Sequence, residues 1–133
     1  MNEHGFIKAV HRYLPSEIYR WKIHDTFTGG VPDAYYCGPA GPLFAEYKYI
    51  ALPKKANTII KLNISPLQLE FLSKMIKYRQ NAIVIVGFIL NNKTSGIILK
   101  DKEWEQKLDK NYYLANAKPT KEITKGIEQY VFT

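Results

Sequence analysis

A single cysteine, Cys37, stands in 133 residues, which excludes an internal disulfide and any CxxC zinc site and fits a reducing compartment, with cytosol as the default. Long apolar runs are absent as well. The longest, Ala82 to Leu90, falls far short of the roughly 18 residues that a membrane span requires. The N-terminus carries His4 and Lys8 in an amphipathic pattern and no apolar signal core, so the expectation is a soluble, unexported protein, cytoplasmic in a bacterium or archaeon or virus-encoded and acting in the host cell. Neither GxGxxG nor a GKS/T loop occurs, Gly29-Gly30 being a bare pair, and nucleotide binding has little support. The three histidines, His4, His11 and His24, show no ligand spacing. No internal repeat or low-complexity tract is visible.

Acids are the scarcer charge. Twelve of them stand against 19 Lys and Arg, a net charge of +7, which makes a polyanion a plausible partner. An apolar fraction of 46% is enough for one compact core. The expectation is one domain over 1–133, with a core over about 1–100 and a basic C-terminal extension over 101–133.

The stretch from Gly29 to Ile50 carries the chemistry. It reads as two short strands joined by Gly38-Pro39-Ala40-Gly41-Pro42, a turn dense in residues that bend backbones. Asp33 and Glu46 are symmetric about that turn, their midpoint lying between Pro39 and Ala40, so a symmetric register makes them cross-strand neighbours. Strand side chains repeat every two residues, which puts Lys48 on the face of Glu46 and Tyr35 on the face of Asp33. Directly opposed like charges destabilise a sheet by roughly 0.2 to 1 kcal/mol. A divalent cation would relieve the pair. Oxygen ligands suit Mg²⁺ or Mn²⁺ better than zinc, and such an ion serves phosphodiester hydrolysis, with Lys48 stabilising the hydroxide or the phosphate. The plain alternative is that Glu46 and Lys48 are ordinary strand charges and Asp33 starts a turn after Pro32.

Around this hairpin the pattern predicts a helix from Glu3 to about Tyr13, capped by Asn2, with Phe6, Ile7, Val10 and Leu14 on one stripe and Pro15 closing it. Glu3 shares that stripe and is either a reply to the helix dipole or a further member of the acidic site. Ile18 to Thr28 alternates Tyr19, Trp21, Ile23 and Phe27 with polar residues and reads as a half-buried strand. Lys54 and Lys55 lie in a break of pattern, either a solvated loop or a phosphate clamp, and Lys61 beyond them is a further candidate nucleic-acid contact.

Ser65-Pro66-Leu67-Gln68 is a helix start, with an N-cap serine, proline at the first helical position and glutamine closing a capping box. Gln68 is thereby explained structurally, or else it orients a water or a metal ligand. That helix is expected to reach about Arg79 with Leu67, Phe71, Leu72 and Met75 inward. Ile83 to Leu90 reads as a central strand covered on both faces and Thr94 to Lys100 as its neighbour. A short helix holding Trp104 and Leu108, then a basic, tyrosine-bearing tail with a last helix from Thr120 to Tyr130, complete the chain. Tyr112 and Tyr113 are packing residues or bases' stacking partners.

Pro32-Asp33, then Glu46-Tyr47-Lys48 after a hairpin, resembles the signature of the PD-(D/E)xK nuclease superfamily. The helix at Ser65-Pro66-Leu67-Gln68 and the strand from Ile83 to Phe88 resemble its VRR-NUC and Holliday-junction-resolvase-like branch, and the likeness runs from Glu3 to about Leu90. It implies an α/β fold with a restriction-endonuclease-like core, a central mixed β-sheet bearing a metal-site hairpin and flanked by helices. By the same resemblance Asp33 and Glu46 bind Mg²⁺ or Mn²⁺, Lys48 is catalytic, Gln68 supports the site, and Glu3 matches the acidic residue on the first helix of resolvases. Tyr47 is bulkier than the Val or Leu often seen between the Glu and the Lys. The implied function is metal-dependent endonucleolytic cleavage of branched or duplex DNA by a homodimer; the other reading is a non-catalytic nucleic-acid-binding module with this fold.

Overall fold

The computed structural model describes residues 1–25 and 27–133. Six strands form one mixed sheet in sequence order: β1 (Tyr19–Lys22), β2 (Ala34–Gly38), β3 (Gly41–Tyr49), β4 (Asn81–Leu90), β5 (Lys93–Leu99) and β6 (Lys118–Pro119). Neighbours are antiparallel except β3 and β4, which run parallel. A parallel pair needs a crossover, and helix α2 (Pro66–Lys77) lies in the connection between them. Asn91 and Asn92 turn β4 into β5 with positive φ angles of 52° and 62°, a conformation asparagine tolerates better than most residues.

One sheet face is covered by α1 (Glu3–Arg12) and α4 (Thr120–Phe132). Asn2 caps α1 by accepting from the Gly5 amide at 2.8 Å, and Phe6, Ile7 and Val10 drop onto Ala45, Tyr47, Ile83 and Ile85. Helix α4 adds Ile123, Ile127 and Val131 to this core, and Thr124 Oγ1 donates to the Val10 carbonyl at 3.0 Å. The segment read as a basic extension thus supplies one wall of the main core. Gly87 on β4 lets Phe6 settle against the backbone, since a Cβ there would stand 2.5 Å from the Phe6 ring.

The opposite face carries a second cluster, in which Leu72 of α2 and Tyr113 of α3 (Lys110–Asn116) meet Val84, Val86, Phe88, Ile97 and Leu99. Both faces of β4 are therefore buried, as its continuous apolar run requires. Tyr113 is a packing residue, with its ring 6.1 Å from that of Phe88.

Three local expectations are corrected. The strand expected over Ile18 to Thr28 is only Tyr19–Lys22, because its partner β2 begins at Ala34 and pairs with nothing beyond Lys22; Phe27 is 98% exposed, and Thr26 lies outside the described residues. Leu67 is exposed rather than inward, since in the first turn of α2 it is Gln68 that faces the sheet. Around Trp104 only a 3₁₀ turn forms, over Glu103–Glu105, because Asp101 and Lys102 both take left-handed backbone angles that stop an α-helix from starting earlier.

Candidate active site

The hairpin register places Ala34 opposite Ala45 and Gly38 opposite Gly41, so the turn is Pro39-Ala40 and its symmetry is the expected one. Asp33 is the residue just before β2. Its carbonyl accepts from the Ile23 amide at 2.8 Å, and its Oδ2 accepts from the Tyr47 amide, also at 2.8 Å. The carboxylate is thus fixed against β3 between Glu46 and Lys48.

Glu46 and Lys48 lie on β3 just past its last residue paired with β2, with Val84 and Val86 of β4 as their neighbours across the parallel pair. Glu46 is 3% exposed. Its Oε2 sits 3.5 Å from Lys48 Nζ and accepts from Gln68 Nε2 at 3.1 Å. Gln68 does two jobs that the sequence left as alternatives. Its Oε1 accepts from the Ser65 amide at 2.9 Å, closing the capping box, and from Lys48 Nζ at 3.3 Å. Helix α2 therefore starts on the site, and the cap that starts it also clamps the ion pair.

Burial is the main reason that the Glu46 carboxyl is pushed up to about 8, and the charge of Asp33 adds to it, while Lys48 opposes. A buried carboxylate beside another, with one lysine shared between them, is short of positive charge. Glu3, the first residue of α1, is half-buried, and burial and then Asp33 raise its carboxyl too. It enters from the other layer at the rim. Among the described residues no group of three or more histidine, cysteine or acidic side chains is gathered as a metal cage, so Glu3 stands near the pair without closing a triad with it.

One cation missed in the sequence stands at the same rim. Lys22 Nζ lies 2.5 Å from His4 Nδ1, and its charge pulls the His4 imidazole down and tempers Glu3. The signal was the alternation of β1, which aims Arg20 and Lys22 at α1. The other side of β1 carries aromatic rings. Tyr19 and Trp21 are 60% and 52% exposed, and Tyr35 lies 6.1 and 6.4 Å from them and 5.3 Å from Phe44. This row adjoins the acidic pair directly, two residues from Asp33 and two from Glu46. Lys54, Lys55 and Lys61 are exposed in the irregular chain between β3 and α2 and take no part in the hydrogen bonds around Glu46.

No described helix is long and apolar enough to cross a membrane. No family model matches the chain, and no curated protein matches its sequence. Among solved structures the chain is similar to Hjc, a Holliday junction resolvase from the archaeal hyperthermophile Archaeoglobus fulgidus, with a TM-score of 0.52 and 13% identity over 91% of this chain and 98% of that one. That likeness, with the mixed six-stranded sheet between helices, shows a restriction-endonuclease-like α/β fold.

Proposed function

We propose that the chain is a metal-dependent DNA endonuclease, selective for branched DNA. The observation that carries this reading is the convergence on Glu46, where a nearly inaccessible carboxylate is packed against Asp33, Lys48 and Gln68 at the open end of a hairpin. The residues fit a hard divalent cation. Asp33 Oδ2 and Glu46 Oε2 are engaged by protein donors, while no amide, amine or alcohol of the described residues donates to Asp33 Oδ1 or Glu46 Oε1, and the raised Glu46 carboxyl marks the deficit of positive charge a cation would fill. Asp33 and Glu46 would hold Mg²⁺ or Mn²⁺, which when bound supplies an acidified water and neutralises phosphate charge. Lys48, oriented by Gln68, stabilises the charge that develops on the attacked phosphate. Gln68 is a positioning residue, and Glu3 adds a further negative charge at the rim.

DNA as the substrate rests on the net charge of +7, with Lys54, Lys55 and Lys61 as candidate backbone contacts and Lys22 beside the site as another. Two symmetric cuts across a branch need two sites, so a second copy of the chain belongs to this reading. The uncharged row Tyr19, Trp21 and Tyr35 is the surface at which two basic chains can meet without opposing like charges. A panel of four-way, flapped, nicked and plain duplex DNAs in Mg²⁺, mapped at nucleotide resolution, tests the proposal. Paired nicks near a branch point are the expected result. Binding without cleavage of any member would favour a non-catalytic nucleic-acid-binding module instead.

A further inference from the structure

Beneath the acidic site, on the reverse face of the sheet, lies a chain of hydrogen-bonded polar groups, half-buried at His11 and buried at Tyr36 and Tyr47, with no counterpart in the proposed chemistry. His11 Nε2 is 2.7 Å from the Tyr36 hydroxyl, and that hydroxyl is 2.6 Å from the hydroxyl of Tyr47. Both tyrosines are fully buried. Phenylalanine at either position would fill the same space without desolvating a hydroxyl, and a buried hydroxyl is tolerated only where it is hydrogen-bonded. Here every member is partnered, so the network favours one arrangement of its three elements over its neighbours.

Those elements are the ones that supply the carboxylates. His11 shares α1 with Glu3, Tyr36 follows Asp33 along β2, and Tyr47 stands between Glu46 and Lys48 on β3. Tyr47 is coupled to the site twice over, since its amide also donates to Asp33 Oδ2 at 2.8 Å. Arg20 extends the same tie to β1 by donating to the carbonyls of His11, Leu14 and Pro15 at 2.9, 3.1 and 2.9 Å. We propose that the His11–Tyr36–Tyr47 chain is a positioning device, which sets the spacing of Asp33 and Glu46, and the approach of Glu3 to them, from the opposite side of the sheet. The inference rests on the metal-site reading above and deepens it. The tyrosine side chains belong to the core cluster under the first helix, with His11 bonded to them from that helix. Burial, with Arg20 alongside, holds the His11 imidazole down at about 4, so the chain stays uncharged at neutral pH and adds no field of its own to the site.

The test compares Tyr36→Phe and Tyr47→Phe with wild type in Mn²⁺ affinity, in DNA binding with Ca²⁺, and in kcat and KM for a branched substrate. Ile123→Val, a small cavity in the same core, controls for simple loss of stability. The expected result is a drop of about 10-fold or more in Mn²⁺ affinity and in kcat, the range seen when groups supporting metal ligands are removed. DNA affinity and KM should stay within about twofold, since phosphate contacts set them. Ile123→Val should leave all of these near wild type. If a tyrosine variant fails to fold, His11→Leu and His11→Gln replace it: leucine should reproduce the drop, and glutamine, which can still bond the Tyr36 hydroxyl, should recover most of it. Wild-type Mn²⁺ affinity and kcat in the variants would overturn the positioning role alone. A wild-type chain that binds no Mn²⁺ would overturn the metal-site reading and the positioning role with it.

Discussion

Replacing Glu46 by glutamine should stabilise the metal-free protein at neutral pH, although it removes a residue assigned to the site. Glu46 is 3% exposed, and its carboxyl is pushed up from 4.5 to about 8 by burial and by Asp33, against the pull of Lys48. A carboxyl raised in this way binds more protons in the fold than in the unfolded chain. Its stabilising share is complete below about pH 4.5 and is lost as the pH rises through about 8. At pH 7 the shortfall spans about 2.5 pH units at about 1.4 kcal/mol each, so this one group costs the metal-free fold about 3 kcal/mol relative to pH 4. His11, held at about 4 in the fold, tilts the profile the other way below pH 6.5, because a group whose pKa is lowered loses stability on acidification. It is the same in both proteins and cancels from their difference. The assay is denaturant and thermal unfolding in EDTA from pH 4.5 to 8. The gap between Glu46→Gln and wild type should open from near zero to about 3 kcal/mol at pH 7, roughly 10 °C in Tm for a chain of this size. Saturating Mn²⁺ should close it by stabilising wild type alone. Parallel profiles at every pH would refute the reasoning, since they would mean that Glu46 is solvated or already neutralised by Lys48.

Gly87→Ala should destabilise the fold by about 2 kcal/mol or more in urea titration, since the new methyl meets the Phe6 ring at 2.5 Å and an overpacked core must shift; an unchanged midpoint would show that α1 moves freely over β4. The Lys54→Ala, Lys55→Ala double variant should bind every DNA sequence more weakly, with a log-log salt slope reduced by up to about 2, as two lost phosphate contacts require. An unchanged slope would make this stretch an ordinary solvated loop. Trp21→Lys, at a ring already 52% exposed, should abolish self-association in sedimentation while leaving Tm nearly unchanged; a variant that still dimerises would move the second copy to another surface.

The hairpin was legible because its signals agree. Turn residues fix the register, alternation fixes the face, and the register Ala34 to Ala45 follows from both. The Ser65 cap was legible for the same reason, being local. Gln68 was read as either a cap or a site residue, and it is both, because its two amide ends face different partners. What the sequence could not supply was layer assignment. The aromatic alternation of Tyr19 and Trp21 looked like a buried face, yet α1 covers the other side of β1, and the rings are left outward. The Tyr36–Tyr47 bond was invisible for a related cause, since two tyrosines 11 positions apart meet only once the hairpin pairs. The C-terminal segment read as basic on its lysines alone, although the six Lys over 101–133 are matched by six Asp and Glu, and Ile123, Ile127 and Val131 of its helix are spaced to complete the core.

The most direct measurement is cleavage of a branched DNA by wild type and by Glu46→Gln in Mg²⁺, with binding of the same DNA followed in parallel in Ca²⁺. The account predicts Mg²⁺-dependent nicks by wild type, none by the variant, and DNA binding by the variant that is normal or tighter, since a negative charge has left a phosphate site. Full cleavage by Glu46→Gln, or no cleavage by either protein on any branched DNA, would contradict it.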